Sequence, residues 1–461
     1  MNRINRADKF IQRLEEAGYE AYYVGGSVRD LLMGRTPGDT DVTTNATPVE
    51  MMDVFREFRL IETGLKHGTV TVLDEDGTPI EITTYRTDGV YSDNRHPDRV
   101  TFVRDLKEDL QRRDFTINAI AMDMRGNVQD PFGGRTDIGK RLIRTVGDPD
   151  QRFGEDALRI MRAMRFSATL DFAIDEQTEQ AMFRNKGMLQ NVSAERIFVE
   201  LKKLILGQNA GNVIRRYVDV LGVIIPELLP MKGFDQRNPY DKYDVLEHCV
   251  RAMEVIKEPG ATDEKVQVYM KLAALFHDVG KPDTFFIGDD GIGHTYGHPA
   301  RGAEIIREIM RRLKADRFTA ERVTDLVKYH DLVFQENDRL LKRWLGRFGE
   351  TLLLEILHIK IADNIATGNM SHELEEKFYR VEEQIHRIVE SKECFSVKDL
   401  AINGRDVMAV IDGNEQITSN QKGPLIGKLL DEVLEEVIDG SLRNDREALL
   451  ARLEIMMKDQ L

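Results

Sequence analysis

Tyr22-Tyr23-Val24-Gly25-Gly26-Ser27-Val28-Arg29-Asp30, followed within a dozen residues by Asp39-Thr40-Asp41, is the stretch from which the rest of the chain can be read. The run from Ala21 to Val24 predicts a strand, which Gly25-Gly26 closes. Ser27 is placed to cap a short helix through Leu32, whose first N–H groups would face a phosphate. Arg29 adds a charge-assisted contact. Asp39 and Asp41 stand two apart, and Asp41-Val42-Thr43 continues in strand-like residues, where side chains at i and i+2 share a face. The two carboxylates would lie about 7 Å apart along the strand. Such a pair suits Mg²⁺, which takes oxygen ligands and leaves positions for substrate phosphates, and this is a phosphoryl-transfer site in outline. Taken alone, Gly-Gly is equally a tight turn and Asp-x-Asp a solvated loop.

The downstream blocks extend this stretch. Gly25-Gly26-x-x-Arg29-Asp30, Gly34-Arg35 and Asp39-Thr40-Asp41-x-Thr43-Thr44 together resemble the signature of the polymerase-β-like nucleotidyltransferases, in particular the class II tRNA nucleotidyltransferase and bacterial poly(A) polymerase family. The resemblance is specific over residues 20–205 and looser beyond.

Bulk properties set the frame. A chain of 461 residues accommodates two to four domains. A hydrophobic fraction of 41% with 31% charged residues is that of a soluble globular protein. The net charge of −15 is unexpected for a nucleic-acid partner; it calls for a confined basic track and salt-dependent binding. Cys249 and Cys394 lie far apart without metal spacing and read as reduced thiols of a cytosolic protein. The N-terminal apolar residues Ile4, Phe10, Ile11, Leu14 and Ala17 mark an amphipathic helix rather than a signal peptide, and no apolar run spans a bilayer.

Along the chain, Thr47-Pro48-Val49-Glu50 starts a helix with Thr47 as N-cap and Glu50 closing a capping box, and the helix is expected to run through Phe58. Residues 67–73 and 80–85 alternate as strands around the Asp76-Gly77 turn. Glu81 on the second strand is either an edge charge or, as the family resemblance implies, a third catalytic carboxylate. From Arg86 to Val103, including Tyr91 to Pro97, no period is visible and a mobile loop is expected. An intact loop here resembles that of family members able to add the terminal adenosine. Arg112-Arg113-Asp114-Phe115-Thr116-Ile117-Asn118 reads as arginines at a helix start; by the resemblance, Arg113 contacts the nucleotide and Asn118 the ribose or the loop.

Phe153 to Phe166 reads as one helix on which Asp156, Arg159 and Arg162 share a stripe, with Arg165 furthest round. An Asp accepts from an exocyclic amine and an Arg donates to ring acceptors. Cytosine and adenine both present an amine beside a ring-nitrogen acceptor, whereas uracil and guanine present a carbonyl beside a ring N–H. One Asp/Arg pair therefore selects C and A without a template. An i,i+3 ion pair on a solvated face is the plain alternative. The Glu155-Asp156-x-x-Arg159 match to the family favours base reading by Asp156 and Arg159, with Arg162 and Arg165 on phosphates or the base.

A second pattern comprises His248, His277-Asp278, His298, His330 and Asp363. It resembles the HD phosphohydrolase superfamily, and His and Asp ligands gathered from several helices make a divalent-metal site. In related proteins this domain hydrolyses cyclic phosphates or phosphomonoesters, and in others it is a relic.

These readings give an α+β fold: a nucleotidyltransferase head at 1–145, a helical neck at 146–225, an HD-type helical domain at 226–390 and a helical tail at 391–461 with tRNA as its partner by analogy. Expected functional residues are Asp39, Asp41 and Glu81 for catalysis and Mg²⁺; Gly25, Gly26, Arg29, Arg113, Asn118, Asp156, Arg159, Arg162 and Arg165 for nucleotide; and the His/Asp set for a second metal of open identity. The implied activity is template-independent addition of the 3′ CCA of tRNA from CTP and ATP in the cytoplasm. Adding adenosine only, polymerising poly(A), and acting chiefly as a metal-dependent phosphohydrolase stay open, as does the oligomeric state.

Overall fold

The computed structural model describes residues 7–38, 40–62, 64–89, 100–237, 242–257, 263–289, 291–412 and 419–459. Asp39 and the loop expected over Tyr91 to Pro97 lie outside the described residues. The fold is α+β, and the chain divides into two compact units, one of residues 1–230 with 308–316, the other of 231–307 with 317–461.

The first unit begins with helix α1 (Asp8–Glu16), which buries Phe10, Ile11 and Leu14. It continues through β1 (Ala21–Val24), α2 (Gly26–Leu32), β2 (Asp41–Thr44), α3 (Pro48–Val54), β3 (Leu60–Ile61), β4 (Thr69–Leu73) and β5 (Pro79–Thr84). Next come β6 (Arg86–Asp88), β7 (Val100–Phe102), α4 (Leu106–Gln111), β8 (Ala121–Met122), β9 (Val128–Gln129), α5 (Gly134–Gly139) and β10 (Leu142–Ile143). Seven of these strands form one sheet in the order β3-β4-β5-β2-β1-β8-β9. The Thr47/Glu50 capping box and the β4–β5 hairpin form as expected. Helix α3 stops at Val54, short of Phe58, whose ring instead packs edge-on to Phe10 at 5.2 Å.

Three local expectations are corrected. Ser27 is not a cap: Gly25 holds the N-cap position of α2, with φ 72° that favours glycine, and Ser27 Oγ donates to the Val24 carbonyl within the first turn. Arg112 and Arg113 follow the end of α4 instead of starting a helix. The arms of the aperiodic segment are ordered, since β6 and β7 pair antiparallel from Arg86↔Phe102 to Asp88↔Val100.

The first unit continues through the segment expected as a neck with α6 (Pro149–Glu155), α7 (Leu158–Leu170), β11 (Ala173–Ile174), α8 (Glu176–Asn185), α9 (Ala194–Ile205) and α10 (Ala210–Leu221). Phe153 to Phe166 is thus two helices. The break falls on Asp156, which is extended at φ −143° and ψ 103°. Its Oδ1 accepts from Leu158 N at 3.1 Å, so the carboxylate caps the second helix and local side-chain bonding outcompetes continuation.

The second unit carries α11 (Val245–Val255), α12 (Glu264–Phe276), α13 (Lys281–Thr284), β12 (Phe286–Ile287), β13 (Gly293–His294), α15 (Arg317–Tyr329), α16 (Asp338–Ala366), α17 (His372–Glu390), α18 (Gly404–Ile411), α19 (Ser419–Ile438) and α20 (Arg446–Asp459), with α14 (His298–Arg312) divided between the units. The β12–β13 hairpin interrupts what the sequence pattern presents as uniformly helical. No helix among the described residues is long and apolar enough to cross a membrane.

Candidate active site

The site in the head is built where β1 ends and β2 begins, beside Glu81 in the first half of β5. Strands β2 and β5 run parallel with Asp41 directly opposite Glu81, and both side chains are exposed. In a parallel pair, opposed residues share a face. Gly25 closes the remaining side: a Cβ there would stand 3.3 Å from Arg113 Nη1 and 3.7 Å from Asp41 Oδ2. A backbone cradle, a guanidinium and a carboxylate therefore meet within one small volume.

Buried carboxylates hold the arginines in place. Asp109, with no exposed surface, accepts from Arg112 Nη2 at 2.8 Å and Arg113 Nη2 at 3.2 Å. Arg29 donates to Asp30 Oδ1 and, through Nη1, to Asn118 Oδ1 at 2.8 Å. Asn118 Nδ2 donates to Asp114 Oδ1 at 3.1 Å, and Asp114 Oδ2 accepts from Arg162 Nε at 2.7 Å. Burial alone would raise the Asp114 carboxyl, but the Arg162 charge and the Asn118 amide override it and hold it at about 2. Arg159 donates to the Arg152 carbonyl and Glu155, and through Nη2 to the Arg112 carbonyl at 3.0 Å.

Asp156 is brought to the same end of the neck, gripped by Arg196 of α9 with Nη2 2.7 Å from Oδ2 and Nη1 3.3 Å from Oδ1. Arg165 ion-pairs with Glu200 at 2.7 Å, and burial lowers its pKa to about 10. The Phe166 ring stands among Arg29, Arg162 and Arg165, at 5.1, 5.4 and 3.8 Å. The structure thus joins Arg29, Asn118 and Arg162 in one bonded chain and sets Asp41, Glu81, Gly25 and Arg113 where β1 ends and β2 begins beside β5; Asp39 lies outside the described residues. The sequence reading missed Asp109, Asp114, Arg196 and Glu200. Asp114 sits inside the quoted Arg-Arg-Asp block, which was its only local signal.

In the second unit, the six His/Asp residues converge. His248 comes from α11, His277-Asp278 follow α12, His298 opens α14, His330 follows α15, and Asp363 lies on α16. His248 Nε2 is 3.0 Å from Asp363 Oδ1 and 3.1 Å from His277 Nε2. Asp278 spans two groups: its Oδ2 is 3.4 Å from His277 Nε2 and 3.5 Å from His248 Nε2, while its Oδ1 is 3.2 Å from His298 Nε2 and 3.6 Å from His330 Nε2. The Nδ1 atoms of His277, His298 and His330 bond the carbonyls of Ala274, Thr295 and Val327. A carbonyl only accepts, so each Nδ1 carries a proton, and each ring turns its Nε2 inward. His298 and His330 thereby set two Nε2 atoms 3.2 Å apart beside a carboxylate oxygen. Unprotonated Nε2 atoms facing one another repel unless a cation sits among them, so the donor set fits divalent metal. Burial opposes ionisation of Asp278, but Lys281 and His277 hold its carboxyl well below the ordinary range. Cys249, read only as a thiol, lies 3.8 Å from His277 Nδ1.

Comparison with known proteins follows this geometry. Residues 21–144 match the poly A polymerase head domain, 171–231 the probable RNA- and SrmB-binding site of polymerase A, and 301–453 a putative second domain of tRNA nucleotidyltransferases. A CCA-adding enzyme of Lactococcus lactis subsp. lactis is 33% identical over 98% of this chain and 97% of its own length. The chain belongs to the class II CCA-adding enzyme family. A CCA-adding enzyme of Geobacillus kaustophilus is 55% identical over 197 residues, and that match spans 48% of its length, so the chain matches about half of this relative. The crystal structure of the Bacillus stearothermophilus CCA-adding enzyme in complex with CTP superposes with a TM-score of 0.73 at 31% identity, covering 99% of this chain and 98% of that one. The Thermotoga maritima enzyme, at 21% identity and TM-score 0.57, shares the fold.

Asp114→Asn is expected to destabilise the first unit by roughly 2–3 kcal/mol, less than the full cost of breaking a buried pair, because Arg162 keeps 33% of its side chain in water. The folded pKa lies below the ordinary value of about 3.9, so this stability is present above that value and lost as pH falls toward about 2. Denaturant melts of both proteins should show a constant gap near neutrality that closes in acid; a pH-independent gap would contradict the assignment.

Proposed function

We propose that this chain adds and repairs the 3′-terminal CCA of tRNA from CTP and ATP, releasing pyrophosphate. The observation carrying this reading is the Asp41–Glu81 pair abutting the Gly25/Arg113 cradle, joined through Arg29, Asn118 and Asp114 to the neck arginines. Asp41 and Glu81, with Asp39, would hold divalent metal, for which oxygen ligands favour Mg²⁺. Metal bound there would supply Lewis acidity for attack by the primer hydroxyl and positive charge for the leaving pyrophosphate. The Gly25-Gly26 backbone and Arg29 and Arg113 receive the triphosphate, and Asn118 orients the ribose. Asp156 accepts the amine of C or A while Arg159 donates to the ring acceptor, and Arg196 fixes the plane of the Asp156 carboxylate. Arg162 and Arg165 supply positive charge beside the base. The finer division places the head at 1–145, the neck at 146–225, the metal-cluster domain at 226–390 and a tRNA-binding tail at 391–461.

A second activity is supported by the convergent His/Asp cluster, which we assign to metal-dependent hydrolysis of cyclic phosphates or phosphomonoesters. Divalent ions there would supply Lewis acidity and activate water. Lys281, 2.8 Å from Asp278, and Lys360, 3.2 Å from Asp363, place cations beside the phosphoryl oxygens.

The first reading is checked with tRNA ending just before the CCA and single labelled nucleotides. Wild type should incorporate C and then A, and Asp41→Ala should lose at least about 10³-fold of that rate. Incorporation of adenosine without cytidine would overturn it. Arg196→Ala should raise the ratio of UTP to CTP incorporation about tenfold or more, with Arg196→Lys recovering little because an ammonium lacks the fork geometry; an unchanged ratio would remove Arg196 from selection. For the second reading, metal analysis of the purified chain should find divalent metal that His277→Ala/Asp278→Ala loses, together with cyclic-phosphate hydrolysis and without loss of nucleotide addition. Hydrolysis retained in that double variant would contradict it.

A further inference from the structure

Just before His298 the chain forms the β12–β13 hairpin, whose outer surface is aromatic. Phe286 and Ile287 are 46% and 49% exposed, and Tyr296 just beyond the hairpin is 73% exposed. The His294 and Tyr296 rings stack at 5.2 Å with planes 18° apart. Phe286 stands 5.5 Å from His294 and 5.7 Å from Tyr296. Rings gathered this way on a surface are a binding feature more often than a packing residue.

Two short tethers hold this surface to the His/Asp cluster. On one side, Gly293 N donates to the Arg237 carbonyl at 2.9 Å, and a Cβ at Gly293 would lie only 2.1 Å from the Gln236 carbonyl oxygen. Gln236 Oε1 accepts from Lys281 Nζ at 2.7 Å, and the same ammonium is 2.8 Å from Asp278 Oδ2. On the other side, His298 Nδ1 donates to the Thr295 carbonyl at 2.9 Å. Tyr296 and His298 are two residues apart, so their Cα atoms lie within about 7.6 Å. Stacked rings are thus tied closely to a metal-type donor set that has a cation beside it. A flat apolar surface next to a cationic, metal-type site matches the base and the phosphate of a nucleotide.

We propose that Tyr296, His294 and Phe286 form a stacking platform for the base of a nucleoside 2′,3′-cyclic phosphate or 3′-phosphate whose phosphate is held at the His/Asp cluster. The proposal deepens the hydrolytic reading above and rests on it. Stacking of a base on an aromatic side chain contributes about 1–3 kcal/mol and accepts any base, because every base has a π-face. The platform therefore selects nucleotides over other phosphate esters without selecting among bases, in contrast to the hydrogen-bonding choice assigned to Asp156 and Arg159.

The test is calorimetric titration of the full Mn²⁺-loaded chain with adenosine 2′,3′-cyclic phosphate, in saturating CTP so that the head is occupied. Tyr296→Ala should weaken binding about tenfold, Tyr296→Phe should restore it, and ribose 2′,3′-cyclic phosphate should bind wild type and Tyr296→Ala alike. An unchanged Kd in Tyr296→Ala, an equal loss for the base-free ester, or no binding by wild type would overturn the platform. Hydrolysis is followed on the same samples. Tyr296-dependent binding without turnover supports the platform and removes the hydrolytic reading. Turnover with Tyr296-independent binding removes the platform alone.

Discussion

The first unit depends on one buried carboxylate. Asp114, only 8% exposed, accepts from Arg162 of the neck and from Asn118 of the head, and Asn118 in turn accepts from Arg29 beside the glycine cradle. A buried charge pair costs desolvation that its attraction only partly offsets, so it contributes more to fixing one arrangement than to net stability. Here it ties the groups assigned to phosphate and to base through a single acceptor, and neither can shift without unsaturating the other. Arg159 adds a second tie through the Arg112 carbonyl. The placement of the Arg159 and Arg162 side chains relative to the Gly25 end of the sheet is thereby set by short, charge-assisted bonds.

What the sequence discloses is what short-range patterning encodes. β1, the Thr47 capping box and the Asp76-Gly77 hairpin follow from local chemistry, and the structure contains each. The six His/Asp positions were legible as a set because the residue types are few and specific, although nothing local states that Asp278 faces both halves of the cluster. Failures came where local alternatives compete. Asp156 could continue a helix or cap the next one, and it caps. Arg112 and Arg113 could open a helix or follow one, and buried Asp109 three and four residues earlier draws them to its end. Arg196 lies 40 residues from the carboxylate it orients, and no periodicity links the two.

The overall charge of −15 is reconciled with the proposed tRNA substrate by how the arginines are used. Arg112, Arg159 and Arg162 are bonded to carboxylates or carbonyls that are themselves buried or half-buried, so they serve as scaffold as well as positive field. Such neutralised cations add little to long-range attraction and much to local shape. The surface then keeps its acidity, and attraction is confined to a few places at short range.

The two acidic centres differ in a way that follows from what each is asked to hold. Asp41 at the start of β2 and Glu81 opposite it on β5 stand exposed next to a backbone cradle. On the proposed reading, a hard ion held there by few oxygens would keep open positions, and substrate phosphates would complete its affinity. The cluster of the second unit is nearly the reverse: His248, His277, Asp278 and His330 are each at most 2% exposed, and ring protons are committed outward to carbonyls. Imidazole lone pairs buried at this density have no partner in water to return to, so the cluster is stable when a cation is resident rather than delivered. On the proposed metal assignments, exchange with substrate would govern the first centre and retention the second, a difference that follows from their burial.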